Sequence, residues 1–205
     1  MYVPSHFRMN GDDAPYAFMA QNAFGTLVST HDGAPFASHL PFLIEEGRLR
    51  AHMARANPQW RSFGTAQVMV VFTGPHAYVS PAWYEAAESV PTWNYVAVHA
   101  YGVPKIVDDP HEVRAMLEAL VTRNESGFAR PWEMHDAPAS YIDGMMSGIV
   151  AFDIPIARLE AKEKLSQNRP AVDRVRVAAQ LARSDSPADR ELSALMTLRE
   201  TTASL

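Results

Sequence analysis

The sequence predicts a mainly β chain with helical decoration, built on six or so antiparallel strands. Three observations predict it. Alternating or apolar runs are joined by Asp-Gly and Glu-Gly turn signals. No βαβ alternation appears, which argues against a Rossmann-type sheet. Helical patterns fall between the later strands and after the last one, so a small closed barrel with helices around it is expected.

The elements follow in order. Residues 12–22 read as a short helix, capped by Asp12 or Asp13 and tolerating Pro15 in its first turn. Residues 24–30 form a strand, Asp32-Gly33 a hairpin turn, 35–46 a second strand and 48–54 a third. Glu45 and Glu46 are a solvated pair at the second turn. Asn57 caps a helix over 57–63, with Pro58 at its first position. The run 66–74 is so apolar that burial on both faces is expected, and 76–84 continues it.

Residues 92–107 form one long strand, with Trp93, Tyr95, Ala97, His99 and Tyr101 on one face. Residues 110–125 are an amphipathic helix with the stripe Val113, Met116, Leu117, Leu120 and Val121. A helical segment over 138–148 precedes a last strand over 149–166. Helices over 170–184 and 186–196 close the chain, the latter with a start resembling a capping box.

Composition narrows the function. The 205 residues suffice for one sizeable domain or a domain with an appendage. No cysteine is present, so thiolate metal sites and disulfides are excluded, which fits a reducing compartment. The start MYVPSHFRMN lacks the apolar core of a signal peptide, and no apolar run is long enough for a bilayer, so a cytoplasmic chain with no membrane partner is expected. A net charge of −5 disfavours binding DNA by bulk attraction. The exception is 157–183, with seven Lys/Arg against three Asp/Glu. That stretch fits either a solvated helix face or a nucleic-acid face, and no helix-turn-helix accompanies it.

The stretch AHMARANPQW, residues 51–60, passes from strand to helix. With Glu46-Gly47 as the turn, Pro41 would lie opposite His52 and His39 opposite Ala54, making His39 and His52 diagonal neighbours. Arg55 and Asn57 follow, beside the N–H groups that open the next helix. An arginine beside a helix start suits a phosphate. Trp60 would cover a flat ring or, by preference, pack under the helix. No Walker loop, Gly-x-Ser-x-Gly elbow or His-x-x-x-His is present. A metal is not expected, and a haem or metal role for His39, His52 or His99 is the least favoured reading.

The segments FGTLVSTHDGAPFASHLPFL, GRLRAHMARANPQW, VFTGPHAYVSPAWY, VPTWNYVAVHAYG and KLSQNRP occur in an order that resembles the PaiB-type family of FMN-binding negative transcriptional regulators. The resemblance runs from Met1 to about Leu181. It implies a Greek-key-like, antiparallel FMN-binding split β-barrel spanning 1–183, with 184–205 as a helical tail, and a homodimer holding FMN at its interface. Carried over residue by residue, it implies cofactor contacts at Ser38, His39, Leu40, Pro41, His52, Met53, Ala54, Arg55 and Asn57. A second cluster, Lys164, Ser166, Gln167, Asn168 and Arg169, is implied with it, though a polar strand-to-helix junction would look the same. The face of Trp93, Tyr95 and Tyr101 could close a flavin pocket or be barrel core with hydroxyls at its rim. The Trp93 strand and the apolar face of 149–156 are the expected dimer surfaces. An FMN-dependent oxidoreductase or flavin reductase is the alternative function.

Overall fold

Asp32 and Gly33 both adopt positive φ, 51° and 79°, the pair of left-handed positions that a two-residue hairpin requires. They join β1 (Phe24–His31) to β2 (Ala34–Pro41), which pair along their length from His31 opposite Ala34 to Phe24 opposite Pro41. The computed structural model describes residues 1–205 apart from Glu46, Thr65, Ala87, Ser204, Leu205 and the side chains of Thr202 and Ala203. Glu46, expected in the second turn, therefore lies outside the described residues.

The remaining strands are β3 (Leu43–Glu45), β4 (Arg48–Ala54), β5 (Val68–Val79), β6 (Thr92–Gly102), β7 (Lys105–Val107) and β8 (Ile149–Lys164). Among the described residues they form an antiparallel sheet in the order β2-β1-β5-β6-β8-β4-β3, with β7 also on β8. The helices are α1 (Ala14–Gln21), α2 (Pro110–Glu125), α3 (Ala139–Ser147), α4 (Ala171–Ala182) and α5 (Pro187–Ala203). Two compact units result: Tyr16–Phe72 with His99–Leu159, and Met1–Pro15 with Thr73–Val98 and Glu160–Leu205.

In the first of these units, the expected strand over 35–46 is two strands. The chain turns away at Phe42, whose N–H donates to the Ala23 carbonyl at 2.8 Å and whose ring packs edge-on against Phe72. β2 stays with β1, whereas β3 pairs with β4, Leu43 opposite Arg50. The expected β3–β4 register is therefore present, but it stops before His39 and Pro41 can face Ala54 and His52. β4 takes β8 as its other neighbour, with His52 opposite Ala151 and Ala54 opposite Ile149.

The expected strand over 92–107 also divides, at Gly102-Val103-Pro104, where Pro104 has no N–H for a ladder. β5 alternates between buried and partly exposed positions instead of being enclosed on both faces. Its apolar second face is half-buried. Helix α2 begins where expected, with Asp109 accepting from His111 N–H at 2.9 Å. It sets Val113 and Met116 against Ala151, with Val107, Leu117, Met146 and Ile149 around them.

In the other unit, α5 runs well past the expected residue 196 and packs along α4. Ser186 Oγ accepts from Asp189 N–H at 3.4 Å, the first half of a capping box. The Asp189 carboxylate turns instead to Ser184 Oγ at 2.6 Å. Helix α5 supplies Glu200 to Arg174 of the basic stretch, and its Arg199 pairs with Glu163 of β8.

Candidate functional site

The strand-to-helix stretch forms a connected cluster at the end of β4. Asn57 uses both ends of its amide. Its Oδ1 accepts from Gln59 N–H at 3.0 Å, and its Nδ2 donates to Ser38 Oγ at 2.8 Å. The helix it caps is a five-residue 3-10 segment, Pro58–Ser62. Because the cap occupies the Gln59 N–H, the expectation that this helix start offers its N–H groups to a phosphate is corrected: the side chains beside it are the available donors. Trp60 Nε1 donates to the Arg55 carbonyl at 3.0 Å, which fixes the indole locally.

Arg55 sits opposite the start of β8. Its N–H donates to the Gly148 carbonyl at 2.8 Å. Its Nε and Nη2 donate to the carbonyls of Ser147 and Ile149 at 3.0 and 2.7 Å. The guanidinium thus closes the C-terminal end of α3 and keeps its remaining N–H donors at an exposed position. No sequence signal announced these carbonyl partners, because they come from residues about ninety positions further along the chain.

Gln59 is the residue that sequence reasoning missed. It is fully buried, and its Nε2 lies within bonding distance of the Leu27 carbonyl, Ser29 Oγ and the Phe36 carbonyl. It ties the 3-10 turn to β1 and β2, and so holds Asn57 beside Ser38. Gln59→Leu should lower unfolding free energy by about 2 kcal/mol, since it strands buried acceptors. Urea denaturation measures this; a loss below about 0.5 kcal/mol would mean that Gln59 carries no such role.

The other expected contacts divide by face. Ser38 is buried and Leu40 half-buried, whereas His39 and Pro41 are exposed on the opposite face of β2. The His39 ring stacks on Phe24 at 6.4 Å. Met53 is core, Ala54 is exposed, and His52 is half-buried with Nδ1 enclosed and without a hydrogen-bond partner. Burial pushes the His52 imidazole below its ordinary value of 6.5. The unfolded chain therefore binds the proton more tightly, and stability falls as pH drops from about 6.5 toward the folded-state value. His52→Gln should flatten that fall, as read from urea midpoints at about pH 7.5 and pH 5.5.

The second expected cluster lies in the other unit. Ser166 is buried at a positive φ of 66° and accepts from Asn94 Nδ2 at 2.9 Å. Gln167 closes the turn, accepting from Leu165 N–H and donating to the Glu163 carbonyl, both at 2.7 Å. Lys164 donates to Thr92 Oγ1 and to the Trp93 carbonyl. Asn168 is exposed, and the Arg169 guanidinium lies 4.5 Å above the Tyr84 ring. Among the described residues, no group of three or more His, Asp or Glu side chains is placed to hold a metal ion.

The fold is the antiparallel split β-barrel with peripheral helices expected from the sequence. Flavocytochrome Anf3 from Azotobacter vinelandii aligns with a TM-score of 0.60 at 14% identity, over 79% of this chain and 72% of its own. The FAD and heme binding protein from Mycobacterium smegmatis aligns with a TM-score of 0.59 at 17% identity, over 82% and 78%. At such identities the likeness concerns the fold.

The family is a matter of sequence. Residues 1–158 match the family described as "Putative FMN-binding domain", and the chain belongs to it. A relative from Bacillus subtilis (strain 168), the Protease synthase and sporulation protein PAI 2, is 35% identical over 201 residues, covering 96% of each chain. FMN is accordingly the cofactor, and the residues at hand fit it. An exposed guanidinium and a part-buried hydroxyl–amide pair suit a phosphate, and the Nδ1 of His52 is a buried polar atom without a hydrogen-bond partner.

Proposed function

We propose that this protein is a PaiB-type FMN-binding regulator, a cytoplasmic homodimer with FMN at its interface, that influences transcription through a partner and not by gripping DNA itself. The observation that carries the flavin reading is the Ser38–Asn57 hydrogen bond two residues along the chain from the exposed, carbonyl-anchored Arg55, all within the stretch matched by the FMN-binding family. Arg55 would supply a fork to the phosphate, with Ser38 and Asn57 beside it, and His52 and Ala54 would line the ring. FMN, when bound, supplies a two-electron redox centre. This chain's residues would bind it, orient it and exclude water from one face.

Two features support the indirect regulatory reading. The relative in B. subtilis is named for protease synthesis and sporulation. In the basic stretch, Arg174 and Arg176 are held by Glu200 and Glu85, and Lys162 is buried. No helix among the described residues is long and apolar enough to cross a membrane.

Titration of the purified protein with FMN, followed by flavin fluorescence, tests the cofactor site; an unsaturable signal defeats it. A gel shift with random competitor DNA at near-physiological salt should show no retardation at about 1 μM protein. Retardation there would make the regulation direct. Light scattering should report a dimer, and a strict monomer would remove the interface site.

A further inference from the structure

The unit formed by Met1–Pro15, Thr73–Val98 and Glu160–Leu205 contains a cavity of about 230 Å3. Phe7, Tyr84, Asn94, Lys164, Ser166 and Arg169 are among the residues lining it. Two of these are cations, and no carboxylate lines the cavity. Among the described residues, neither Lys164 nor Arg169 has an acidic partner. A neighbouring cavity of the same unit is the contrast: there Arg174 is bound by Glu200 and Arg199 by Glu163. The unit pairs Arg174, Arg176 and Arg199 with carboxylates and leaves Lys164 and Arg169 without one among the described residues.

We propose that this cavity is a binding site for a compact aromatic carboxylate, separate from the cofactor cluster around Arg55. Lys164 is half-buried and already donates to Thr92 Oγ1 and, at 2.8 Å, to the Trp93 carbonyl. Those bonds hold its ammonium at the wall with a further N–H to give. Arg169 is steadied by its stacking on Tyr84 and by Ser89 Oγ at 3.4 Å, which leaves most of its fork free for a carboxylate. Burial and the nearby Lys162 both disfavour the charged form of Lys164, and a bound anion would offset them by its opposite charge.

The cavity's shape and walls choose among anions. It lies below the roughly 300 Å3 lower end of drug-sized pockets, so the ligand is compact. The ring of Phe7 suits a planar body and offers nothing to a bare inorganic ion, while the Tyr84 ring is covered by Arg169 and holds its fork in place. Beneath them, Asn94 is fully buried and bonded to Ser166, whose left-handed backbone fixes the polar floor. This cavity reaches beyond the stretch matched by the FMN-binding family, which ends at residue 158.

The test is calorimetric titration of the full chain, without and with saturating FMN, using sodium benzoate as probe. Benzamide and inorganic phosphate are the comparators. Saturable benzoate binding at about 1 mM or tighter is expected, with benzamide at least about tenfold weaker. Arg169→Gln and Lys164→Met should each weaken benzoate by about tenfold or more. Arg169→Gln is the safer variant, since its side chain is held only by the Tyr84 ring and the long contact with Ser89, whereas Lys164 bonds to both Thr92 and Trp93. Absent benzoate binding, equal benzamide binding, or phosphate binding without benzoate would overturn the proposal. So would loss of benzoate binding on adding FMN, which would give the cavity to the cofactor. Failure to bind FMN at all leaves the benzoate titration readable and refutes only the flavin reading.

Discussion

Replacing Arg55 with alanine is expected to weaken FMN binding by about one to two orders of magnitude. The expectation rests on chemistry that is already half-committed. The guanidinium is anchored by the carbonyls of Ser147 and Ile149, so its orientation is set before a ligand arrives. A phosphate meeting it would lose little entropy in ordering the side chain. Flavin fluorescence titration reads the effect directly. Arg55→Lys separates charge from geometry: a lysine keeps the cation but cannot span both carbonyls and a phosphate as a planar fork does. It should recover part of the lost affinity. An unchanged dissociation constant in Arg55→Ala would move the phosphate to another part of the molecule.

Gly102→Ala is expected to cost about 3 kcal/mol or more of unfolding free energy. Gly102 ends β6, and its Cα faces β8 with no room to spare. A Cβ there would overlap the Pro155 carbonyl oxygen and approach Ile154 Cγ2 to 2.7 Å. The carbonyl belongs to backbone and the isoleucine is fully buried, so neither can swing aside. Relief would require β6 and β8 to separate. A denaturant midpoint close to that of the parent protein would show that the strands shift at no cost. Gly33→Ala, where a Cβ would meet nothing, isolates the separate penalty of a positive φ and should be milder.

Much of this fold was legible because its signals are local. Asp32-Gly33 is a turn whatever surrounds it, since both residues must accept positive φ. The Val113–Met116–Leu120 stripe of α2 is written in residues three and four positions apart. The breaks at Phe42 and at 102–104 were not legible. Phe42 leaves its strand because Ala23 and Phe72 reward it for doing so, and both partners are remote in sequence. Gly102 and Pro104 could have marked the second break, yet glycine and proline also occur within edge strands.

The candidate site divides along the same line. That Arg55, Asn57 and Pro58 cluster at a strand end was readable from AHMARANPQW alone, because capping is a relation between neighbours. Ser38 was implied by resemblance; its bond to Asn57 depends on how β2 passes the 3-10 turn. Nothing local marks Gln59, because the three acceptors around it come from β1 and β2. The acidic partners that quiet the basic stretch at 174–176 come from α5 and from the loop at Glu85.

By itself, then, the sequence determined the class of fold, the family with its cofactor, and most strand and helix limits, since periodicity, turns and caps act within a few residues. The tertiary structure alone decided which strand each edge joins, which face of β2 is available, what Arg55 holds, and which cations remain unpaired around Lys164. Those outcomes are set by contacts between residues far apart in the chain, and a residue's own neighbours carry no record of them.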